Sequence, residues 1–176
     1  RQLIDADQQK CSKDWITGTK DKLLSRVQII EQTDLKAAEN VEVDFLLIDT
    51  QGSLTKEMAQ FLFQSSLIIT PCRVSRDDIV GQGWIEIFLK QAGQDVKKPP
   101  ILTVLNGVNK RSSILSHVIE QLKEDGIQVA KTCISQRVCF AETNVNKISV
   151  IGYNKQATQE IVDLTNEALN LIKSEA

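Results

Sequence analysis

Residues 43–52 read V-D-F-L-L-I-D-T-Q-G, and the reading of this stretch decides the fold. Four apolar residues in a row, Phe45 to Ile48, run into Asp49, Thr50 and a glycine. That is the pattern of a strand buried on both faces of a parallel sheet, with an acid at its carboxyl end. Ligands of open α/β sheets bind outside the carboxyl ends of the strands, so a site is expected at Asp49.

Upstream, Leu3 and Ile4 form the tail of another strand that opens into an acidic loop at Asp5 and Asp7. Residues 10–26 are polar and read as loop and weak helix, with Trp15, Ile16, Leu23 and Leu24 as anchors. A short strand is expected over 27–30 and a short helix over 34–39. Downstream, Met58, Phe61 and Leu62 mark a helix over 56–64, followed by a buried strand, Leu67 to Thr70, that Pro71 stops. Ser75 caps a helix reaching about Gln91, with Ile79, Val80, Trp84, Ile87 and Phe88 directed inward. Gly81 and Gly83 lie inside that helix at a cost of about 1 kcal/mol each relative to alanine, which points to close packing of another backbone or a partner. A third strand covers Ile101 to Leu105. Ser112 caps a helix carrying Ile114, Leu115, Val118, Ile119 and Leu122, which Gly126 ends. A fourth strand is expected over 127–131, a helical turn over 139–144, and a last helix over 158–174 burying Ile161, Leu164, Ala168, Leu171 and Ile172. Strands alternating with helices give an α/β fold, a mostly parallel sheet with helices on both faces, in a single domain spanning 1–176.

Composition agrees: 41% hydrophobic and 25% charged residues suit one domain with a proper core. No run approaches the ~18 apolar residues of a membrane span, and no signal-peptide pattern opens the chain, so a cytoplasmic protein with no membrane partner is expected. Four cysteines without a C-x-x-C, beside a lone histidine, His117, favour reduced and mostly buried thiols over a zinc site or a disulfide scaffold. His117 itself reads as an ordinary surface or boundary residue. Net charge is only -2, yet residues 106–155 hold seven basic against four acidic side chains. Such an excess fits either a polyanion-binding face or an ordinary solvated surface.

D-A-D at 5–7 and D-T-Q-G at 49–52 would lie side by side at the carboxyl edge of this sheet. Acids there suit a hydrated magnesium ion, which keeps several waters and takes one or two carboxylates plus phosphate oxygens. They equally suit orientation of an attacking water in phosphoryl transfer. Taken singly, each motif serves as well to cap the next helix.

Together with L-I-I-T-P-C at 67–72, T-V-L-N-G-V at 103–108 and I-S-Q-R-V-C-F-A-E-T at 134–143, the runs L-I-D-A-D-Q-Q (3–9) and F-L-L-I-D-T-Q-G (45–52) resemble the ParA/MinD deviant-Walker ATPases. Within that family they are most similar to the small ParA-type partition proteins. The motifs appear in family order and at family-like spacing. The resemblance implies that Asp7 positions the hydrolytic water, that Asp5 supports the metal and phosphate network, and that Asp49 holds Mg²⁺ through water. It implies ATP as the nucleotide, with Pro71 and Asn106 lining the adenine pocket; the same two residues serve equally as a strand terminator and a turn residue. Gln8 stands where the family usually has proline, a departure that touches the shape of the first loop. The family's ATP-bound homodimers hold DNA non-specifically, and Lys110, Arg111, Lys131, Arg137 and Lys147 are the candidates for that contact. Arg137 has a second reading, a structural one at the turn around Gln136. A ParB-like or other cargo-binding partner would stimulate hydrolysis, and location on the nucleoid would follow from DNA binding.

Nothing in the sequence matches G-x-x-x-x-G-K-[ST] or the family's K-G-G-x-G-K-T, the glycine loop whose amides cradle phosphates. The first residue is Arg1 and the only methionine is Met58. We therefore expect the family's first strand, phosphate loop and helix to be missing from these residues. In the resembled fold that strand lies mid-sheet beside the strand ending at Asp49. Residues 1–176 alone are then expected to leave a gap in the sheet, to be poorly stable or aggregation-prone, and not to bind ATP tightly. Set against a partition ATPase is a non-catalytic relative that survives as a binding or scaffolding module. A metal-insertion or electron-transfer ATPase of the same fold group is disfavoured by the lack of paired cysteines.

Overall fold

Two three-stranded sheets, parallel throughout, organise the chain in a computed structural model that describes residues 1–30, 43–52, 55–93 and 98–175. The helix expected over 34–39 lies outside the described residues. The first sheet has the order β2-β1-β3, with β1 Gln2–Asp5, β2 Gln28–Ile30 and β3 Leu46–Asp49. The second has the order β4-β5-β6, with β4 Ile68–Cys72, β5 Ile101–Val108 and β6 Ile134–Ser135. Six helices accompany them among the described residues: α1 Cys11–Ile16, α2 Lys56–Gln64, α3 Arg76–Ala92, α4 Ile114–Glu124, α5 Val138–Val145 and α6 Lys155–Glu175. The alternation predicted a parallel α/β architecture, and that is what forms.

Apolar alternation along β5 explains why helices cover both faces of the second sheet. Leu105 and Val108 pack with Cys72, Val118 and Leu122 on the α4 side. Leu102 and Val104 pack with Ala168, Ile161 and Leu164 on the α6 side. A third cluster, Leu62, Ile68 and Leu89, closes the base under α2 and α3.

Several expectations are corrected. Pro71 does not stop its strand but lies within β4. The amide of Ile68 points to Pro100 on the β5 side, so alternation turns the nitrogen of Pro71 to the other edge, unpaired among the described residues, where a missing N–H costs nothing. The strand expected over 127–131 is reduced to a bridge between Thr103 and Val129, and β6 begins only at Ile134. Glu167 of α6 accepts the amides of Lys131 and Thr132 at 2.7 and 3.1 Å, and so takes donors that a continuous strand would use. Helix α3 is capped by Ser75 as expected, but Val80, Trp84 and Ile87 are exposed. Its inward face is Ile79, Ile85, Phe88 and Leu89 together with buried Gln82, whose carbonyl accepts the Thr103 hydroxyl at 3.2 Å. A side-chain hydrogen bond in the core has thus set the rotation of the helix against the apolar count. Gly81 and Gly83 face open space rather than a close neighbour. The residue before α4 is Ser113, not Ser112, and its side chain makes no cap bond. Gly126 does end that helix, at φ +79°.

One buried acid ties three elements of the second sheet together. Glu160 on α6 accepts Lys110 Nζ at 2.7 Å, the Ser135 hydroxyl at 2.7 Å and amide at 3.0 Å, and Arg137 at 3.2 Å. Burial by itself would raise its pKa, but the Lys110, Ser135 and Arg137 bonds outweigh burial and hold the carboxyl at about 2.

The outer edges of β3 and β4 have no strand partner among the described residues. Between them Ile48 and Thr50 line a cavity of about 90 Å³ with Ile68, Ile69, Phe61 and Leu62. Leu47 is 58% exposed, Ile69 48% and Phe45 43%. Parallel strands are ordinarily buried on both faces, so these edges are unusually open among the described residues.

Two measurements follow. A carboxyl with a depressed folded pKa stabilises above its unfolded value near 4.5, and that stability is lost as pH falls toward about 2. With screening at half-exposed Lys110 allowed for, the contribution is on the order of 2 kcal/mol at neutral pH. Glu160→Gln should lower urea stability by that order at pH 7, and the deficit should shrink between pH 5 and pH 3; a constant deficit would contradict the assignment. Residues 1–176 expressed alone should self-associate, and Leu47→Lys with Ile69→Lys should raise the monomer fraction in light scattering without altering far-UV circular dichroism.

Candidate functional site

Strand register builds the site. Asp5 and Asp49 are directly paired residues at the carboxyl ends of β1 and β3, side by side as the sequence implied. Asp5 is buried at 3% exposure. Its carboxyl group accepts the amide of Asp7 at 3.1 Å on one oxygen and the amide of Lys13 at 2.8 Å on the other. A buried carboxyl group is costly unless hydrogen-bonded, and here the following loop supplies the bonds by wrapping back over the strand end. The loop turns at Lys10, at φ +52°, whose ammonium reaches the carbonyl of Asp5.

Asp7 is half-buried, and one of its oxygens accepts the amide of Gln9 at 2.8 Å. Asp49 is also half-buried, and its Oδ2 accepts the Ser12 hydroxyl at 2.5 Å, while its backbone carbonyl accepts the amide of Ala6 at 2.7 Å. Ser12, Lys10 and Lys13 are the residues that sequence reasoning missed. Nothing in a polar stretch of weak helix marks them, because their place depends on how the loop returns to the strand ends.

Among the described residues no group of three or more His, Cys, Asp or Glu could cage a metal. A magnesium ion needs no such cage, since it takes one or two carboxylates and keeps water. The donor set at the strand ends, the Asp49 carboxyl group beside the Ser12 hydroxyl, consists of hard oxygens and fits that ion.

Pro71 and Asn106 stand near the carboxyl ends of β4 and β5 on the other side of the gap, both exposed. Asn106 lies inside β5 rather than after it, next to an irregularity in the β5–β6 register where Gly107 adopts φ +67°. Of the basic candidates, Arg111 and Lys131 are exposed. Lys110 and Arg137 are held on Glu160, and Arg137 also donates to Gln156 at 2.8 Å, in line with its structural reading. Lys147, at φ +51°, binds the Asp14 carboxylate at 2.9 Å and its carbonyl at 2.8 Å. Together with bonds from Thr19 to the Lys147 carbonyl and from Ser149 to Asp21, it ties the α1 segment to the loop after α5. His117 is exposed on α4. All four cysteines are free; Cys11 is exposed and the other three are buried, with burial pushing Cys72 up to about 11. No described helix is long and apolar enough to cross a membrane.

No family model matches the chain, and no curated protein matches it in sequence. Solved structures do. A protein of Borrelia burgdorferi B31 assigned to plasmid partition, bound to AMPPNP, superposes with a TM-score of 0.73 at 16% identity, covering 96% of this chain and 86% of that one. The cell division protein MinD of Aquifex aeolicus superposes with a TM-score of 0.69 at 14% identity, covering 96% and 83%. At such identities it is the path of the backbone that is shared. The chain has the α/β fold of the ParA/MinD P-loop ATPases, the fold its motifs resemble.

Proposed function

We propose that the chain acts as a ParA-like ATPase that partitions or positions DNA. The observation that carries this reading is the in-register pair Asp5 and Asp49 at the carboxyl edge of a parallel sheet, beside the gap between β3 and β4. The fold shared with a plasmid partition protein bound to AMPPNP supports ATP as the nucleotide.

Each acid has a distinct part. Asp49 holds hydrated Mg²⁺ through water, Asp7 presents a half-buried carboxyl group to the attacking water, and Asp5 fixes the loop that carries Asp7. The metal, when bound, neutralises charge on the phosphates. Pro71 and Asn106 line the base pocket across the gap. ATP joins two subunits, the dimer holds DNA non-specifically on the nucleoid in the cytoplasm, and a ParB-like partner stimulates hydrolysis and release. Within this reading Arg111 and Lys131 carry more of the DNA contact than Lys110, Arg137 and Lys147, whose cations are already committed to Glu160 or Asp14.

In the protein as encoded, Asp7→Ala should lower ATP turnover by ~10²-fold or more while leaving nucleotide binding in place, and Asp49→Asn should weaken magnesium-dependent binding. Turnover unchanged in Asp7→Ala would remove the proposed role. DNA affinity should fall steeply with salt, and Arg111→Ala and Lys131→Ala should each lower the slope of log affinity against log salt by ~1. A protein that holds DNA but never hydrolyses ATP would be the non-catalytic module.

A further inference from the structure

We propose that Ser12 is a positioning residue for Asp49, and that it makes helix α1 respond to what the Asp49 carboxyl group binds. The proposal rests on the magnesium role given to Asp49 above and deepens it. Two residues 37 apart in sequence meet here: the Ser12 hydroxyl donates to Asp49 Oδ2 at 2.5 Å. The bond from Ser12 fixes the orientation of the Asp49 carboxyl group, and with it the direction in which its remaining lone pairs face. A ligand held by a neighbouring donor keeps one orientation, and loss of such a partner typically costs ~10–100-fold in metal affinity.

The geometry around Ser12 makes the contact more than local. Ser12 lies on the first turn of α1. The next residue, Lys13, gives its amide to Asp5, so the same turn is fixed to both strand ends, to β1 through Asp5 and to β3 through Asp49. Asp14, two residues further along, is held separately by Lys147. A change in what the Asp49 carboxyl group holds would be passed through Ser12 to a short helix that Lys147 also holds at Asp14. The orientation of α1, and with it the acidic loop carrying Asp7, is then linked to occupancy of Asp49. Any ligand that binds one arrangement better shifts the population toward it.

Trp15, three residues after Ser12 on α1 and half-buried, reports on the helix. Trp84 is the other tryptophan and is 59% exposed, so Trp84→Phe isolates the signal. MgCl₂ is titrated into the protein as encoded, in the Trp84→Phe background with AMPPNP present, while Trp15 emission is followed. Ser12→Ala should raise the half-saturating magnesium concentration about tenfold, and Ser12→Thr, which keeps the hydroxyl, should restore it. Lys147→Ala removes the contact that holds Asp14 and should change the starting emission without moving the midpoint. Far-UV circular dichroism establishes that each variant folds, and Ser12→Cys replaces Ser12→Ala if the latter does not. An unchanged or lower midpoint in a folded variant lacking the hydroxyl overturns the role of Ser12 while the magnesium reading stands. A parent protein whose Trp15 emission ignores magnesium, and which binds AMPPNP equally without it, overturns both.

Discussion

The buried carboxyl group of Asp5 is the constraint on which the site depends. A carboxyl group removed from water must find hydrogen-bond donors, and at the end of a parallel strand the sheet has no more to give. The donors come from the chain that follows, the amides of Asp7 and Lys13, and meeting this need forces residues 6–13 into a loop that returns to the strand end. That return brings Ser12 onto Asp49 and leaves Asp7 half-buried at the rim. Asp5, which the family resemblance gave a part in the metal and phosphate network, therefore acts first as the anchor of the loop. Asp7 and Asp49 keep the capacity to face a ligand.

The second sheet is held by a comparable device. Glu160 collects Lys110, Ser135 and Arg137, and so joins the chain after β5, the strand β6 and the helix α6 at a single carboxylate. Three basic residues that a charge count assigns to one surface thereby acquire different chemistry. Lys110 and Arg137 neutralise a buried acid, whereas Arg111 beside them stays exposed. A buried acid left without its partners is costly, so these two cations, though partly exposed themselves, help hold Glu160 in place. Across the gap between the sheets, the bonds of Lys147, Thr19 and Asp21 link the α1 segment to the loop after α5 at the edge where the candidate site lies.

Local composition made much of this legible. Apolar runs ending in acids identified β1 and β3, and helix α2 has the bounds that Met58, Phe61 and Leu62 imply. Gly126 marked the end of α4 because only its left-handed backbone closes that turn without strain. Two of the misreadings share one cause. Trp84, Val80 and Ile87 form a helical apolar stripe, yet Gln82 occupies the core because Thr103 offers it a partner that no pattern of apolar residues reveals. The strand over 127–131 has suitable residues, but Glu167, some 35 positions later, removes its donors.

By itself the sequence determined the parallel α/β class, the order of the elements and an acid at the end of each of two strands, since these follow from short-range periodicity and from the polarity of residues bounding each strand. Only the tertiary structure decided that Asp5 stands in register with Asp49, that Ser12 reaches Asp49, and that Lys110 and Arg137 are spent on Glu160. Each of these is a hydrogen bond or ion pair between residues far apart in the chain. Whether such a bond forms depends on where folding has carried both partners, and neither neighbourhood in the sequence contains that information. The stretch V-D-F-L-L-I-D-T-Q-G accordingly announced a strand and an acid, while the fold supplied what the acid touches.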